Sequence, residues 1–322
     1  MGILDKLFGG ETKGEALLRA YGKLPYYAEY RRLEISPGAA TAFSQWLDAG
    51  RLAWAKSPSK GPAGSVRSLR AMLRIPGTKE IAIASIWDSR DSLGRMFPFC
   101  FFVIGTPDSF GATPAEQWAA ATTLCTQFDR YYVELRSLGG GGDFYKLFNK
   151  RTLPTKPTDI ADRARGNVDA ARAIDAGAWL RSWVHNAPGD RHGWFTAAAT
   201  KSEWFRGHPD SIGDVAMSFP LAVGFPVAAQ ASLWLDWASP ALTKVSRTPS
   251  VIAPSLDSGS PDIHLIVRDL VPDDFQLLTT DDAAYSYVER ISYNGQAGGA
   301  PSGSLLEFLK SPPVLAAPAS TV

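Results

Sequence analysis

Two apolar runs lie close together in the first third of the chain, and they constrain the fold more than any other feature. The first extends from Glu80 to Trp87 and is nearly all apolar, and the second extends from Pro98 to Gly105. Continuous apolar runs of this kind are typical of strands that are buried on both faces of a sheet. A polar loop, residues 88–96, separates them. The sequence therefore predicts a sheet with other elements packed on both sides.

Shorter patterns predict further strands. Residues 69–74 alternate between apolar side chains and side chains that include Arg70 and Arg74, which indicates a half-exposed strand. Strand character returns at residues 215–223, 230–238 and 263–268, where the second stretch alternates through Leu233, Leu235 and Trp237.

Helices are predicted between these strands. The best defined begins at Thr113, where Pro114 and Glu116 complete a capping box, and an apolar stripe continues to Leu135. Apolar residues also recur at helical spacing from Phe43 to Trp54. Other helices are expected at residues 13–20, at several places within 150–207, at 272–278 with acids in its first turn, and at 281–291.

These elements predict an α/β fold in which a mixed β-sheet is flanked by helices as a layered sandwich. We expect an N-terminal segment at residues 1–19, one α/β domain at 20–293 with a helical insertion at about 150–207, and a flexible C-terminal tail at 294–322. A division into two domains near Lys150 is the competing interpretation.

Composition narrows the classes of function. The net charge of the 322-residue chain is +1, so nothing global points to nucleic acid or an anionic membrane as the partner. No apolar run reaches the roughly 18 residues that a membrane span needs, and the first residues do not fit a signal peptide. Both cysteines, Cys100 and Cys125, lie in apolar patterns typical of buried thiols, which fits a reducing cytoplasm.

A search for chemistry finds no motif that predicts catalysis. The chain has four histidines, none in a metal-binding motif, and it contains no Gly-x-Ser-x-Gly nucleophile elbow. The glycine run 139–142 follows a helix and lacks the Lys-Ser/Thr of a phosphate loop, so it predicts a helix end. Several aspartates offer paired carboxylates but are equally typical of turn caps: Asp88, Asp91, Asp273 and Asp274. We therefore expect no enzymatic activity, no cofactor and no metal.

Three groups of sequence blocks carry a resemblance to a known family. Gly-Lys-Leu-Pro closes the block Tyr21–Pro25, and Trp-Leu-Asp-Ala-Gly follows at 46–50. The second block, Asp91–Pro98, reads Asp-Ser-Leu-Gly-Arg-Met-Phe-Pro. The third joins Ser-Leu-Trp at 232–234 to a Leu-Val-Pro…Phe…Leu-Leu close at 270–278. In order and spacing, from about residue 20 to residue 280, the chain resembles the TagF family of type VI secretion-associated proteins.

This resemblance implies a cytoplasmic, non-enzymatic accessory protein that represses assembly of a bacterial type VI secretion apparatus after translation. The implied partners are secretion components, including a forkhead-associated-domain scaffold protein. Eight residues are the candidates for partner binding or for maintaining the motifs: Lys23, Asp88, Asp91, Gly94, Arg95, Phe97, Pro98 and Trp234.

Two alternatives for function and two for Arg95 stay open on sequence alone. The chain would also suit a small-ligand-binding or enzymatic α/β domain, or a structural adaptor of the secretion apparatus. Arg95 either holds its own loop together through Asp91 or presents its five-donor guanidinium to a partner. Some of the ten tryptophans are candidates for exposed interface anchors.

Overall fold

A computed structural model describes most of the chain: residues 15–56, 68–138, 143–154, 157–175, 178–179, 216–222, 224–245, 247–254, 262–278 and 289–290. Predictions for residues 1–14, for the glycine run 139–142, for much of 150–207 and for the tail at 294–322 concern residues outside this described part.

Nine described strands form one sheet, in the order β11-β8-β10-β9-β4-β5-β6-β2-β3. Neighbours are antiparallel except β11 and β8, which are parallel. β1 and β7 pair separately. The bounds are β1 Glu15–Leu17, β2 Arg19–Gly22, β3 Arg31–Leu33, β4 Leu69–Arg74, β5 Ile81–Trp87, β6 Phe99–Gly105, β7 Thr152–Pro154, β8 Ala216–Pro220, β9 Ser250–Pro254, β10 Asp262–Ile266 and β11 Glu289–Arg290.

Helices cover both faces of this sheet. They are α1 Ala39–Lys56, α2 Pro107–Phe110, α3 Pro114–Ser137, α4 Phe144–Phe148, α5 Pro157–Arg172, α6 Val227–Val245 and a 3-10 helix Pro272–Leu278. The longest, α3, begins with the predicted capping box, in which the Glu116 amide donates to the Thr113 hydroxyl and the Thr113 amide donates to the Glu116 carboxylate.

The sheet separates two apolar cores. Helices α3, α5 and α6 pack together over one face, and α1 packs with the 3-10 helix over the other. Successive residues of a strand point to opposite faces, so each central strand supplies both cores. In β6 one set is Phe99, Phe101 and Val103, and the other is Cys100, Phe102 and Ile104. The structure therefore confirms the mixed sheet flanked by helices.

The prediction of central buried strands is confirmed residue by residue. Every residue of β5 and of β6 is buried. β4 also lies in the centre, between β5 and β9, so the prediction that it is half exposed is wrong. Its two arginines form salt bridges with residues outside the strand: Arg70 binds Asp129, and Arg74 binds Asp269, both at 2.7 Å.

Two further predictions of element type need correction. Residues 15–22 form β1 and β2 instead of a helix, because β2 pairs with β6 and completes the sheet. Residues 230–238 lie within the helix α6 instead of a strand. A helix covered on most sides is apolar nearly all around, so alternation over nine residues does not distinguish it from a strand.

The segment after Lys150 is integrated into the same sheet. β4 pairs with β9, so strands from both sides of Lys150 are direct neighbours. Helix α5 falls inside the predicted helical insertion and packs against α3 and α6. The helix predicted at 281–291 does not reach its expected end, because Glu289 and Arg290 form β11; residues 281–288 lie outside the described part.

Candidate partner-binding site

The first sequence block contacts the second through their backbones. β2 ends at Gly22, whose φ is +130°, a value that side chains rarely tolerate. A Cβ at this position would lie 2.0 Å from the carbonyl oxygen of Pro98 and 2.7 Å from the Cα of Phe99. Only glycine allows this approach, so the Gly of Gly-Lys-Leu-Pro is required by packing.

A buried ion pair lies next to that contact. The Lys23 Nζ lies 2.8 Å from the Asp91 Oδ2, and the two residues are 6% and 3% exposed. The other carboxylate oxygen of Asp91 accepts the backbone amides of Leu93 and Arg95 at 3.0 and 2.8 Å. Burial alone would raise the pKa of Asp91, but the bonds from Lys23 and Arg95 outweigh it and hold that pKa well below its usual range.

Arg95 joins the loop to the turn that follows Gly-Lys-Leu-Pro. Its Nε donates to the Asp91 Oδ2 at 2.6 Å, and its terminal nitrogen donates to the carbonyl oxygen of Ala28 at 2.6 Å. The amide of Ser92 also donates to the carbonyl oxygen of Tyr27, at 3.1 Å. The Arg95 side chain is nevertheless 53% exposed. It holds the loop, and about half of its surface is still accessible.

Exposed apolar and aromatic side chains surround this junction. Leu93, at the tip of the loop, is 68% exposed, and Tyr26 is 48% exposed. The guanidinium of Arg31 lies 3.5 Å from the ring centre of Tyr27 and 5.9 Å from that of Tyr145, which is itself 41% exposed. Arginine stacked on aromatic rings is common where proteins bind one another.

A small groove opens beside the same turn. It has a volume of about 10 Å³ and lies between the Gly-Lys-Leu-Pro turn and the end of α3. We call it the turn groove. Its lining residues are Leu24, Pro25, Tyr26, Tyr27, Leu135, Arg136 and Leu138. The sequence did not predict it, because residues more than a hundred positions apart line its two walls.

Phe97 and Pro98 of the second block anchor the loop to the buried interior, and Gly94 allows its turn. Phe97 is 2% exposed and packs edge-on against Tyr30, with 4.9 Å between ring centres. Pro98 is buried and receives Gly22 against its carbonyl group. Gly94 has a φ of +78°, and a Cβ added there would meet no atom within 4 Å, so this glycine serves the turn alone. Asp88, at the start of the loop, is half-buried.

Trp234 is not part of this surface. It is 1% exposed and belongs to the core under α6, where its ring stacks on Phe219 at 4.7 Å and meets Trp179 edge-on. Of the two roles that the sequence left open for Trp234, partner binding and maintaining its motif, this burial favours the second: Trp234 is a core residue.

The Trp-containing block at 46–50 contacts the C-terminal block at 270–278. The Trp46 indole donates to the carbonyl oxygen of Val271 at 2.9 Å, and a Cβ on Gly50 would lie 2.5 Å from the Phe275 Cβ. These contacts attach α1 to the 3-10 helix. Blocks that are far apart in sequence are thus paired in space, which explains their residue types by packing.

Two of the four acidic residues that suggested carboxylate pairs have separate partners. Asp274 is fully buried and binds Arg268 through two bonds of 2.5 and 2.7 Å, whereas Asp91 binds Lys23 and Arg95. Among the described residues, no group of three His, Cys, Asp or Glu side chains is placed to hold a metal ion. None of the described helices combines the length and the hydropathy needed to cross a bilayer.

Comparisons with known proteins give a limited result. No family model matches the chain, and no curated protein matches it. Among solved structures, the chain is similar to the crystal structure of PA0076 from Pseudomonas aeruginosa PAO1, with 21% sequence identity and a TM-score of 0.24. The match covers 28% of this chain and 42% of PA0076, so the chain spans less than half the length of that protein.

Proposed function

We propose that this protein is a cytoplasmic, non-enzymatic accessory protein of a bacterial type VI secretion system. It acts after translation by binding other proteins and so represses assembly of the secretion apparatus. The proposed partners are secretion components, with a forkhead-associated-domain scaffold protein first among them. The sequence blocks that resemble the TagF family support the proposal.

One observation of the structure supports it most. Gly-Lys-Leu-Pro and Asp91–Pro98, two of the blocks that carry the resemblance, meet through the Gly22–Pro98 contact and the Lys23–Asp91 ion pair. Buried contacts fix both blocks from within, while Leu93 and Arg95 stay exposed at the tip of the loop. Residues that are held rigidly and remain accessible lose little conformational freedom when they bind a partner.

A repressor of this kind needs no chemical step. It occupies a surface of a component and so removes that component from the assembly equilibrium. Most of the binding energy then resides in a few anchors, for which arginine and tyrosine are favoured residue types. Arg95 and Tyr26 are the anchors that this site offers.

The proposal is tested by affinity capture from the native bacterium, with the full-length chain as bait and mass spectrometry as the readout. We expect type VI secretion components, above all a forkhead-associated-domain protein, in substoichiometric amounts relative to assembled particles. Stable stoichiometric presence in assembled particles would favour the structural adaptor instead. Capture of no secretion component, also after crosslinking, would overturn the proposal and lead to small-molecule screening for a ligand.

A further inference from the structure

Building on the proposed function, we propose that the turn groove binds an acidic segment of the partner protein, with one apolar side chain of that segment packed on the apolar lining formed by the Gly-Lys-Leu-Pro turn and the end of α3. Three features of the groove point to such an occupant: its apolar lining, the charges around it and the rigidity of its walls.

The floor of the groove suits an apolar side chain. Leu24 and Leu135 are buried lining residues, and Tyr26, which also lines the groove, is 48% exposed. Leu93 lies at the tip of the neighbouring loop and is 68% exposed. Apolar side chains that are exposed together, next to a groove, are typical of interaction sites. A volume of about 10 Å³ holds little more than one water molecule, so an apolar side chain packs on the lining of the groove and a cofactor-sized ligand is excluded.

The charges around the groove favour acidic residues in the rest of the bound partner segment. The turn as far as Arg31, the loop and the end of α3 carry four arginines: Arg31, Arg90, Arg95 and Arg136. Of the acids on the same segments, Asp91 binds both the buried Lys23 and Arg95, and Glu134 lies 3.9 Å from Arg151. The other two acids there are Glu29 and Asp88, against the guanidinium groups of Arg31, Arg90 and Arg136. Carboxylates of a bound segment would complement this excess, and arginine binds carboxylates in a bidentate geometry.

The walls are fixed before any partner arrives. The turn is tied to the loop by the Arg95–Ala28 and Ser92–Tyr27 hydrogen bonds, both across about 65 residues of sequence. The other wall is the last turn of the long helix α3. A site of this kind loses little conformational entropy on binding, which favours a short extended or helical segment as the occupant.

The inference is tested by site-specific photocrosslinking in the native bacterium. The full-length protein carries p-benzoylphenylalanine in place of Tyr26 or, as a control, in place of Leu52, which is 62% exposed on α1 across the sheet. We expect the Tyr26 probe to crosslink a secretion component, and the crosslinked peptide to contain at least three acidic residues around an apolar one. A crosslinked peptide that is basic or neutral would overturn the inference.

Charge reversal gives a second, quantitative readout with a matched control on one helix. Arg136 and Arg130 are both exposed on this helix, but only Arg136 lines the groove. Arg136→Glu is therefore the test variant and Arg130→Glu is the control. We expect Arg136→Glu to reduce the captured secretion component at least tenfold and Arg130→Glu to change it less than twofold. Circular dichroism and thermal melting confirm that both variants fold.

The outcomes separate this inference from the function on which it rests. If secretion components are captured equally by the wild type and by Arg136→Glu, the proposed function stands and the groove inference falls. If neither captures any, the proposed function fails. Binding of the wild type, but not of Arg136→Glu, to vesicles of phosphatidylserine would assign the basic rim to an anionic membrane surface and also overturn the peptide inference.

Discussion

Lys23 and Asp91 are 68 residues apart in the sequence, and their side chains form a buried ion pair at 2.8 Å. Each residue belongs to a different sequence block. Together with the Gly22–Pro98 contact and the Arg95–Ala28 hydrogen bond, the pair fixes where the exposed loop lies relative to the Gly-Lys-Leu-Pro turn.

The ion pair predicts a distinct acid dependence of stability. Because the pKa of Asp91 is lower in the folded state, its contribution is fully present above its unfolded pKa, which is about 3.9, and is lost as the pH falls below that value. Asp91→Asn should lower the urea midpoint at pH 7, and its difference from the wild type should shrink between about pH 5 and pH 3. The exposed Asp108→Asn serves as the control. A difference that is constant with pH would contradict the assignment.

Two glycines with positive φ should respond differently to alanine. Gly22→Ala places a Cβ against the backbone of Pro98 and also strains φ, so we expect a loss of roughly 3–5 kcal/mol in the free energy of unfolding. Gly94→Ala has only the strain of its φ of +78°, and should lose about 1 kcal/mol. Chemical denaturation of both variants measures the difference, and equal losses would show that the Gly22–Pro98 approach is not rigid.

Removal of the Trp234 ring should lower the stability of the fold and leave partner binding unchanged. The side chain fills the core under α6, so Trp234→Ala should lower the free energy of unfolding by about 3–5 kcal/mol. Leu52→Ala, at an exposed position, should change it by less than about 0.5 kcal/mol. Binding measured on the folded fraction should be unchanged in both. Weaker binding by folded Trp234→Ala would return this residue to the interface.

Arg95→Ala should separate the two roles of this side chain. The Arg95 side chain is 53% exposed, so solvent screens its bonds to Asp91 and Ala28. Their loss should lower the free energy of unfolding by only about 1 kcal/mol. Capture of the partner should fall at least tenfold if the guanidinium is an anchor. Arg95→Lys keeps the charge but not the forked geometry, and is expected to recover only part of the binding. A circular dichroism spectrum of an unfolded chain would show that holding the loop is its dominant role.

Both thiols should be inert in the native protein. Burial raises the pKa of Cys125 to about 12 and also raises the pKa of Cys100. At pH 8 the thiolate fraction of Cys125 is then on the order of 10⁻⁴, and the attacking reagent also needs access. A thiol-reactive dye should label neither residue in the folded chain and both in urea. Rapid labelling of the native protein would mean that the sheet opens near β6 or α3.

The elements that the sequence predicted correctly are those with strong local signals. β5 and β6 are continuous apolar runs, and the capping box of Thr113 starts α3 where expected. The element types that it missed depend on distant partners. β2 is a strand because β6 lies beside it, and α6 is a helix whose buried surroundings hide its periodicity.

The candidate site likewise combines local features that the sequence predicted and long-range features that it missed. The tight turn at Gly94 and the Asp91–Arg95 contact are local and follow from the spacing of the residues. The requirement for Gly22 was not visible, because its cause is the backbone of Pro98, which is 76 positions away in the sequence. Likewise, partner binding and a role in the motif stayed open for Trp234, because sequence alone does not report what covers an aromatic side chain.

The order of the strands also has a consequence for synthesis on the ribosome. β4 lies between β5 and β9, and Ala71 pairs with Ile252. At a translation rate of about 5–20 residues per second, β9 leaves the ribosome roughly 10–40 s after β4. During that interval one edge of an apolar strand is without its partner, and such edges pair readily with other chains. The nascent chain is therefore most prone to aggregate before residue 254 has emerged, whatever the stability of the finished molecule.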